Sequence, residues 1–593
     1  MFSFESPPRK VRRVSLASDS VTRTPSPCPG SSTISSVDSL GISPVASLGS
    51  QEHPLEVSPV SSAPDPILLI PQPEAKLPIE IACASMIAKL PSWMRPVVDE
   101  NLAALLDLQR DAYPNGLPLG SACSGSDLVT PAVDMLFGAL GTGFLSGDGV
   151  TQPDSGYCAV STCPMPSRVD VQVKWACEVA PKKQRWLQEV MLMNKVLQDI
   201  RDISSRVAPT TSSECEVVDD IFLYSCGFCC QSVSKQNKNC KDFEGCCTTG
   251  VGKTGITYQA SVAFIRKRLP VIVLMENVGG LSQKDRARVI ADMERCGYKV
   301  IILQSNSSQH YLPASRDRVW FIGVLDPDPE SMFPSWIAQE RAEMIEEATR
   351  STGDEPEANV DEYLVKYSDP LFYVLEEAKR NEKVPKKARQ NQIAKEKKLK
   401  WVKKHGDFWK FMKVDDRWTG SKPEFTDSGG LTRREADLVK ADIFTNDKDY
   451  CTDKKVFLDV SQSLDRYPRS LGTVPTILPG GHICIASRKL FPWSTKPEVR
   501  DLFGLEALRL QGLHESLVPS PASVFSFKDR ELLHLAGNAF SFPHVQLALL
   551  CVLAGFDMPG SMEEIVERRA MAANQRRIRM RRRKHAQDPE SSL

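Results

Sequence analysis

The chain has 593 residues, of which 41% are hydrophobic and 25% charged, with 74 basic side chains balanced by 74 acidic ones. That balance excludes a wholly cationic nucleic-acid coat and a wholly acidic solvating chain, and leaves local clusters to decide what is bound. The 17 cysteines are odd in number and irregular in spacing, no leader-like start is present, and no apolar run is long enough for a bilayer; the sequence predicts a soluble protein with free thiols in a reducing compartment and no membrane partner.

Residues 1 to roughly 80 are rich in Ser and Pro and poor in aromatics, so they bury too little apolar surface to offset ordering entropy and are predicted disordered. Within them Pro7-Pro8-Arg9-Lys10-Val11-Arg12-Arg13 reads equally as a nuclear import signal and as a solvated charge cluster. Ser15, Thr24-Pro25 and Ser26-Pro27 have the composition of phosphorylation sites.

Order is predicted from Ile79 to Ala88 onward. Leu117-Pro118-Leu119 leads into Gly120-Ser121-Ala122-Cys123-Ser124-Gly125-Ser126-Asp127 and an apolar stretch, Leu128 to Leu140. This pattern reads as strand, small-residue turn and helix, a place where a cofactor can approach the backbone. Gly141 to Arg168 reads as a long surface loop. Val171 to Ala176 alternates as a strand and ends at Cys177-Glu178; Pro181 to Leu192 reads as a helix, and Leu197-Gln198-Asp199-Ile200 as a third strand tip bearing a carboxylate.

The next apolar run, Ile221 to Tyr224, is broken by Gly227, so Cys229 and Cys230 fall on the loop after a strand's carboxyl end, where open α/β sheets gather ligands. Tyr258 to Lys267 reads as a helix. Leu269 to Met275 is a strongly apolar strand that ends at Glu276-Asn277-Val278-Gly279-Gly280, with the acid well placed for a site and poorly placed for a core. Helix Gln283 to Cys296, strand Tyr298 to Leu303, and His310 to Val324 with Arg316 and Arg318 complete the alternation. The predicted fold is α/β, a doubly wound and mostly parallel sheet.

A metal reading of Cys226, Cys229, Cys230, Cys240, Cys246 and Cys247 rests on Cys226-x-x-Cys229 as a half-site. Its partner pair is the adjacent Cys246-Cys247, and neighbouring cysteines seldom both ligate one tetrahedral ion, so no metal is predicted.

Taken together and in this order, the motifs resemble those of the cytosine-C5 DNA methyltransferase family: Ser124-Gly125, Glu178, Cys229-Cys230-Gln231, Glu276-Asn277-Val278, Arg316-Asp317-Arg318 and Gly537-Asn538-Ala539, with Glu506 to Gly512 similar to the penultimate motif. The resemblance covers roughly 115 to 330 and 470 to 560. It implies the S-adenosylmethionine-dependent methyltransferase fold with an inserted target-recognition region. The chain departs from the family in three places. Cys229 replaces the proline before the nucleophile, Ala314 replaces a glutamine, and Ser121, Cys123 and Asp127 replace the usual opening of the cofactor loop. These departures bear on cofactor affinity and rate more than on reaction type.

The resemblance implies that Cys230, placed in register by Gln231, adds to C6 of a flipped-out cytosine so that C5 can accept a methyl group. By the same resemblance Glu276 serves ring N3, Arg318 binds O2 and Arg316 orients the site, with Gln231, Ser234 and Asn277 on the substrate side. Glu178 would take the ribose of S-adenosylmethionine and Asp199 its adenine edge, while Ser124, Gly125, Asn538 and Ala539 line the methionine end. The expected layout is a disordered region at 1–80, catalytic parts at 81–325 and 471–560, a variable basic recognition region at 326–470 and a basic tail at 561–593. Lys379 to Lys413 is basic with Trp401, Phe408, Trp409 and Phe411 interleaved, a pattern suited to phosphate contact and base stacking and also to a solvated helix. Arg568 to Lys584 reads as DNA grip, import signal or solvated tail. The expected protein is nuclear and binds DNA, with RNA as a second possible partner. Three further readings stay open: a transfer-RNA methyltransferase of the same fold, a weakened homologue that only binds nucleic acid, and an unrelated thiol or zinc protein, which would require the ordered motifs to be coincidence.

Overall fold

The computed structural model describes residues 76–587 except 124, 146–167, 235–236, 238, 329–333, 352–358, 383–425, 428–430, 432, 451, 463–466 and 489–496. The Ser/Pro-rich start with its basic run, Ser124, and most of the Lys379–Lys413 segment therefore lie outside the described residues. The main sheet is built from β1 (Leu117–Ala122), β2 (Val171–Cys177), β3 (Val196–Leu197), β6 (Leu223–Gly227), β7 (Ile272–Val278), β8 (Tyr298–Asn306) and β9 (Asp317–Leu325); a small hairpin of β4 (Val207–Pro209) and β5 (Cys215–Val217) lies between. The strand order is β3-β2-β1-β6-β7-β9-β8, with β9 antiparallel to both neighbours and the other pairs parallel. This is the doubly wound, mostly parallel sheet that the alternation predicts.

Side chains alternate across a strand, and here each face meets its own core. From β7, Ile272 and Leu274 enter one cluster with Trp320, Ile322 and Val324 of β9, covered by the helices Val129–Leu145 and Phe542–Gly555. Val273 and Met275 enter the other with Val319 and Phe321, covered by the helices Gly252–Arg268 and Gln283–Arg295. All of Phe542–Gly555 is buried, so its apolar composition is that of a core helix.

The helix Arg95–Ala112 and the β4–β5 hairpin are absent from the sequence reading. Asn101 explains the placement of the first: its amide donates to the Leu553 and Phe556 carbonyls (2.7 and 2.8 Å) and accepts from the Met558 N–H (2.8 Å), closing the end of Phe542–Gly555. Such pairing over a long sequence separation leaves no local signature.

The expected boundary at 326 is corrected. Helix Ser335–Ala348 packs on the main sheet, where Gln339 pairs with both the N–H and the carbonyl of Ile302 (2.8 and 2.9 Å) and so covers the edge strand β8. The boundary at 470 is also crossed, by a second sheet of β10 (Thr426–Asp427), β11 (Val456–Asp459), β12 (Arg469–Leu471), β13 (Ile483–Ser487) and β14 (Glu498–Asp501), ordered β10-β14-β13-β11-β12. Phe457, Ile483 and Ile485 on one of its faces join the catalytic core, and Val456, Leu458, Cys484 and Ala486 on the other pack under helix Arg433–Thr445. Arg500 on β14 forms a buried bidentate pair with Glu506 (2.8 and 2.9 Å), which also accepts from the Val365 and Phe503 N–H groups.

The basic tail is also corrected. Met562–Gln587 is a helix laid along the end of the sheet where β7 and β8 begin. Ala572 is buried there, and Arg569 donates to the Leu269 carbonyl, Arg576 to that of Arg266 and Arg579 to that of Glu294. These arginines meet the carboxyl-terminal, negative ends of two helices. Arg577 and Arg581 to Arg583 face solvent.

Beside the second sheet, His482 bridges Glu435 (3.0 Å) and Asp501 (2.8 Å), and Lys379 bridges Asp501 (3.2 Å) and Asp529 (3.1 Å). Burial alone would lower the imidazole's pKa, but the two carboxylates outweigh it and hold it at about 9. A pKa raised on folding stabilises fully below the unfolded value near 6.5 and is lost as pH rises through 9. The melting temperature should therefore fall between pH 6.5 and 9, by a stability of at most about 3 kcal/mol. His482→Gln should flatten that slope; an equally steep slope in the variant would contradict the assignment.

Candidate active site

Strand register brings the charged groups together. Val278 of β7 lies opposite Arg318 of β9, and Glu276 opposite Trp320, which makes Glu276 and Arg318 diagonal neighbours on one face. Their side chains form an ion pair at 2.6 Å, each about nine-tenths buried. Arg316, two residues before Arg318, is buried as well, and donates to the Gly537 carbonyl (3.4 Å) and to that of Ala539. Among the described residues its Nε has no acceptor, and burial together with the charge of Arg318 pushes its pKa below the ordinary guanidinium value. The site thus holds a cationic donor ready for an electron-rich ligand.

The end of β6 and the loop after it offer three thiols, and their surroundings separate them. Cys226 faces the opposite core, 3.0 Å from the Ser261 hydroxyl. Cys229 has Lys253, Lys183 and Glu178 as its charged neighbours, whereas Cys230 has Arg318, Glu276 and Arg316. Cys230 is partly buried and alone among them meets the Glu276 carboxylate and the Arg318 guanidinium together. Burial pushes its thiol up; Arg318 is the strongest force pulling it back, and Glu276 and Cys229 oppose that pull. The loop is tied through backbone: the Cys230 carbonyl accepts from Val233 and Ser234 N–H (3.1 and 3.0 Å). Ser234 stays close to the thiol by that bond, while Gln231 is exposed.

Asn277 requires a correction. It is fully buried; its amide donates to the Phe228 carbonyl (2.8 Å) and its oxygen accepts from the Val278 N–H (2.9 Å), so it shapes the cysteine loop and does not face a substrate. Where Ala314 has lost an amide side chain, backbone takes over: Ser315 N–H donates to the Val474 carbonyl (2.8 Å) and Val474 N–H to that of Pro313 (2.7 Å).

The tips of β1, β2 and β3 stand side by side. Gly125, at φ +75°, lies against Asn538, whose carbonyl oxygen a Cβ would approach to 2.7 Å; this joins the small-residue turn to Gly537-Asn538-Ala539. Asn538 itself donates to the His534 carbonyl (2.7 Å). Glu178 is buried, with Val179 and Ala180 N–H on one oxygen (3.0 and 3.3 Å) and Lys183 on the other (3.0 Å). Val179 beside it is 69% exposed, an open apolar face next to a carboxylate. Asp199 is gripped at both oxygens by Arg201, which lowers its pKa. Two carboxylates, an apolar face and close backbone suit a nucleoside-like ligand, with Lys183 and Arg201 holding the acids. Lys183, Arg201 and Val179 were not singled out from the sequence; their only signal was adjacency to the two acidic tips.

Cys246, Cys247 and Asp285 also gather, yet Asp285 accepts from Gly245 N–H (3.0 Å), Cys247 N–H (2.9 Å) and the Ser282 hydroxyl (2.6 Å), which casts it as a loop anchor. Because Asn277 is buried and doubly bonded, Asn277→Leu should destabilise the protein by about 1–3 kcal/mol, and Gln231→Ala by under about 0.5 kcal/mol. Chemical denaturation measures both; equal effects would contradict the division of roles.

The model of C-5 cytosine-specific DNA methylases matches residues 167–548, well over half of the chain. DNA (cytosine-5-)-methyltransferase DMT5 of Cryptococcus neoformans var. grubii is 23% identical over 166 residues, 28% of this chain and 7% of that protein. Type II methyltransferase M.BanI of Aneurinibacillus aneurinilyticus is 29% identical over 143 residues, 23% of this chain and 31% of that protein. These similarities therefore span less than a third of either relative's length. The S. pombe Dnmt2 methyltransferase structure aligns over 74% of this chain and 98% of its own, at 12% identity and a TM-score of 0.35. By the extent of the family match, the chain belongs to the C-5 cytosine-specific DNA methylase family.

Proposed function

We propose that the protein is a DNA (cytosine-5)-methyltransferase acting through a covalent bond between Cys230 and the base. The observation that carries this reading is the convergence of Cys230, the Glu276–Arg318 ion pair at 2.6 Å and buried Arg316 at one sheet edge. Cytosine C5 is a weak nucleophile, and adding a thiolate at C6 makes the ring enamine-like. In the proposed step the Cys230 thiolate forms a bond to C6, the C5–C6 π pair shifts to C4–C5, and the C4–N3 pair takes up at N3 the proton that Glu276 supplies, while Arg318 binds O2. Arg316 steadies the site from behind. After methylation the C5 proton leaves, its electron pair restores the double bond and the thiolate departs. Burial raises the Cys230 thiol, while Arg318 and Arg316 favour the thiolate that the step requires.

The methyl donor of the family is S-adenosylmethionine, which would supply an electrophilic methyl group. Glu178 and Asp199 would take its hydroxyls and its adenine edge, with Gly125, Asn538 and Ala539 at the methionine end and Ser124 beside them in sequence. For these contacts Lys183 and Arg201 must share or release the two acids. A base stacked in a duplex cannot present C6 to a thiol, so flipping, at a few kcal/mol, precedes attack. The part of the chain between helix Ser335–Ala348 and the second sheet is proposed to read the target. Its basic, aromatic-rich stretch favours DNA over transfer RNA, the outward arginines of Met562–Gln587 add attraction for phosphate, and the run Pro7 to Arg13, read as an import signal, supports a nuclear setting.

The test is to incubate purified protein with labelled donor and, in parallel, unmethylated duplex, hemimethylated duplex and transfer RNA. Label should enter duplex DNA, and Cys230→Ser should lower incorporation at least about a thousandfold. Label in transfer RNA alone would move the substrate assignment, and full activity in Cys230→Ser would end the covalent one.

A further inference from the structure

The peptide unit joining Phe228 to Cys229, one unit before the one that carries the Cys230 N–H, is held at both ends by side chains from different elements. Its carbonyl, on Phe228, accepts from Asn277 Nδ2 (2.8 Å) on β7; its N–H, on Cys229, donates to Thr257 Oγ1 (2.9 Å) on helix Gly252–Arg268. Thr257 is suited to this. A helical threonine divides between two χ1 rotamers, and bonding back to the preceding turn selects one. Here the hydroxyl proton goes to the Lys253 carbonyl four residues earlier (2.9 Å), with the Thr254 carbonyl at 3.2 Å, which leaves an oxygen lone pair fixed toward the loop. The Cys230 carbonyl is held in turn by Val233 and Ser234 N–H groups.

We propose that Thr257 is a positioning residue for Cys230, its hydroxyl clamping the Cys229 N–H so that, with Asn277, the Phe228–Cys229 peptide plane that leads into the nucleophile cannot tilt. The inference rests on Cys230 being the nucleophile of the proposed reaction. A loop held only at its carbonyl would let the peptide swing and carry the sulfur off the line of attack. Misplacements of about 1 Å cost on the order of a hundredfold in such reactions. The clamp also accounts for how a cysteine serves at position 229: its N–H is put to use, whereas a proline there would lock the backbone by its ring and have no N–H to hold.

The experiment compares wild type, Thr257→Val, Thr257→Ser, Cys229→Pro and the Cys229→Pro/Thr257→Val double variant. Two readouts are taken: single-turnover methyl transfer with the cofactor KM, and amide hydrogen exchange at Cys229, which needs no turnover. Thr257→Val should lower the transfer rate roughly ten- to a hundredfold with the cofactor KM within about twofold, and should speed exchange at Cys229 at least about tenfold. Thr257→Ser keeps the hydroxyl and should restore both to within about threefold. In the Cys229→Pro background, adding Thr257→Val should cost nothing further, because the bond it removes is already absent. Unchanged Cys229 exchange in Thr257→Val, or the same loss of rate with and without Cys229→Pro, would overturn the proposal. If instead Cys230→Ser stays active, the nucleophile assignment fails, while the exchange result still reports on the clamp.

Discussion

A carboxylate and a guanidinium forced to within 2.6 Å by strand register, each about nine-tenths buried, set the terms for the rest of this molecule. Removing two charges from water costs several kcal/mol per ion, and their attraction repays this only when geometry and further hydrogen bonds are good. β7 and β9 provide the geometry, because antiparallel pairing fixes Glu276 and Arg318 as diagonal neighbours on one face. A one-residue slip of β9 would send Arg318 to the opposite core and leave Glu276 without it. Arg316 extends the same constraint, tying the start of β9 to the Gly537 and Ala539 carbonyls and keeping one guanidinium nitrogen without an acceptor. Charges fixed this way are preorganised for an electron-rich ligand, and Cys230 lies within the field of Arg318, Glu276 and Arg316.

The two other strand tips show the complementary arrangement. Glu178 and Asp199 are acids already satisfied by Lys183 and Arg201, so neither is left as an unpaired charge before a ligand arrives. The two cations differ in freedom: Arg201 is 68% exposed and Lys183 only 12%. Exchange of partner at Asp199 thus disturbs little packing, whereas Glu178 has its cation and two backbone donors built around it.

Much of the site was legible because its residues end apolar runs. A charged residue directly after a buried strand has nowhere to go but the sheet edge, and Glu178, Asp199 and Glu276 were each found that way; the order of motifs then located Cys230, Arg316 and Arg318. What escaped is tertiary. Asn277 sits in a motif and reads as a ligand contact until its amide is seen on the Phe228 carbonyl. Thr257 is one polar residue among many on an ordinary helix. Val474 supports Ala314 from a distant loop, and Asn101 closes a helix in the last part of the chain, pairings that hydrophobic periodicity cannot register. The second sheet crosses the boundary drawn by composition because its inward face, Phe457 and Ile485, belongs to the catalytic core while its outward face has a core of its own.

The most direct test of the central claim is to react the protein and S-adenosylmethionine with a duplex carrying 5-fluorocytosine, whose C5 fluorine cannot leave as a proton does, and to map any protein–DNA adduct by peptide mass. A stable adduct on Cys230 is the predicted result. Absence of an adduct on a duplex that the protein binds, or its appearance on Cys229, would contradict it.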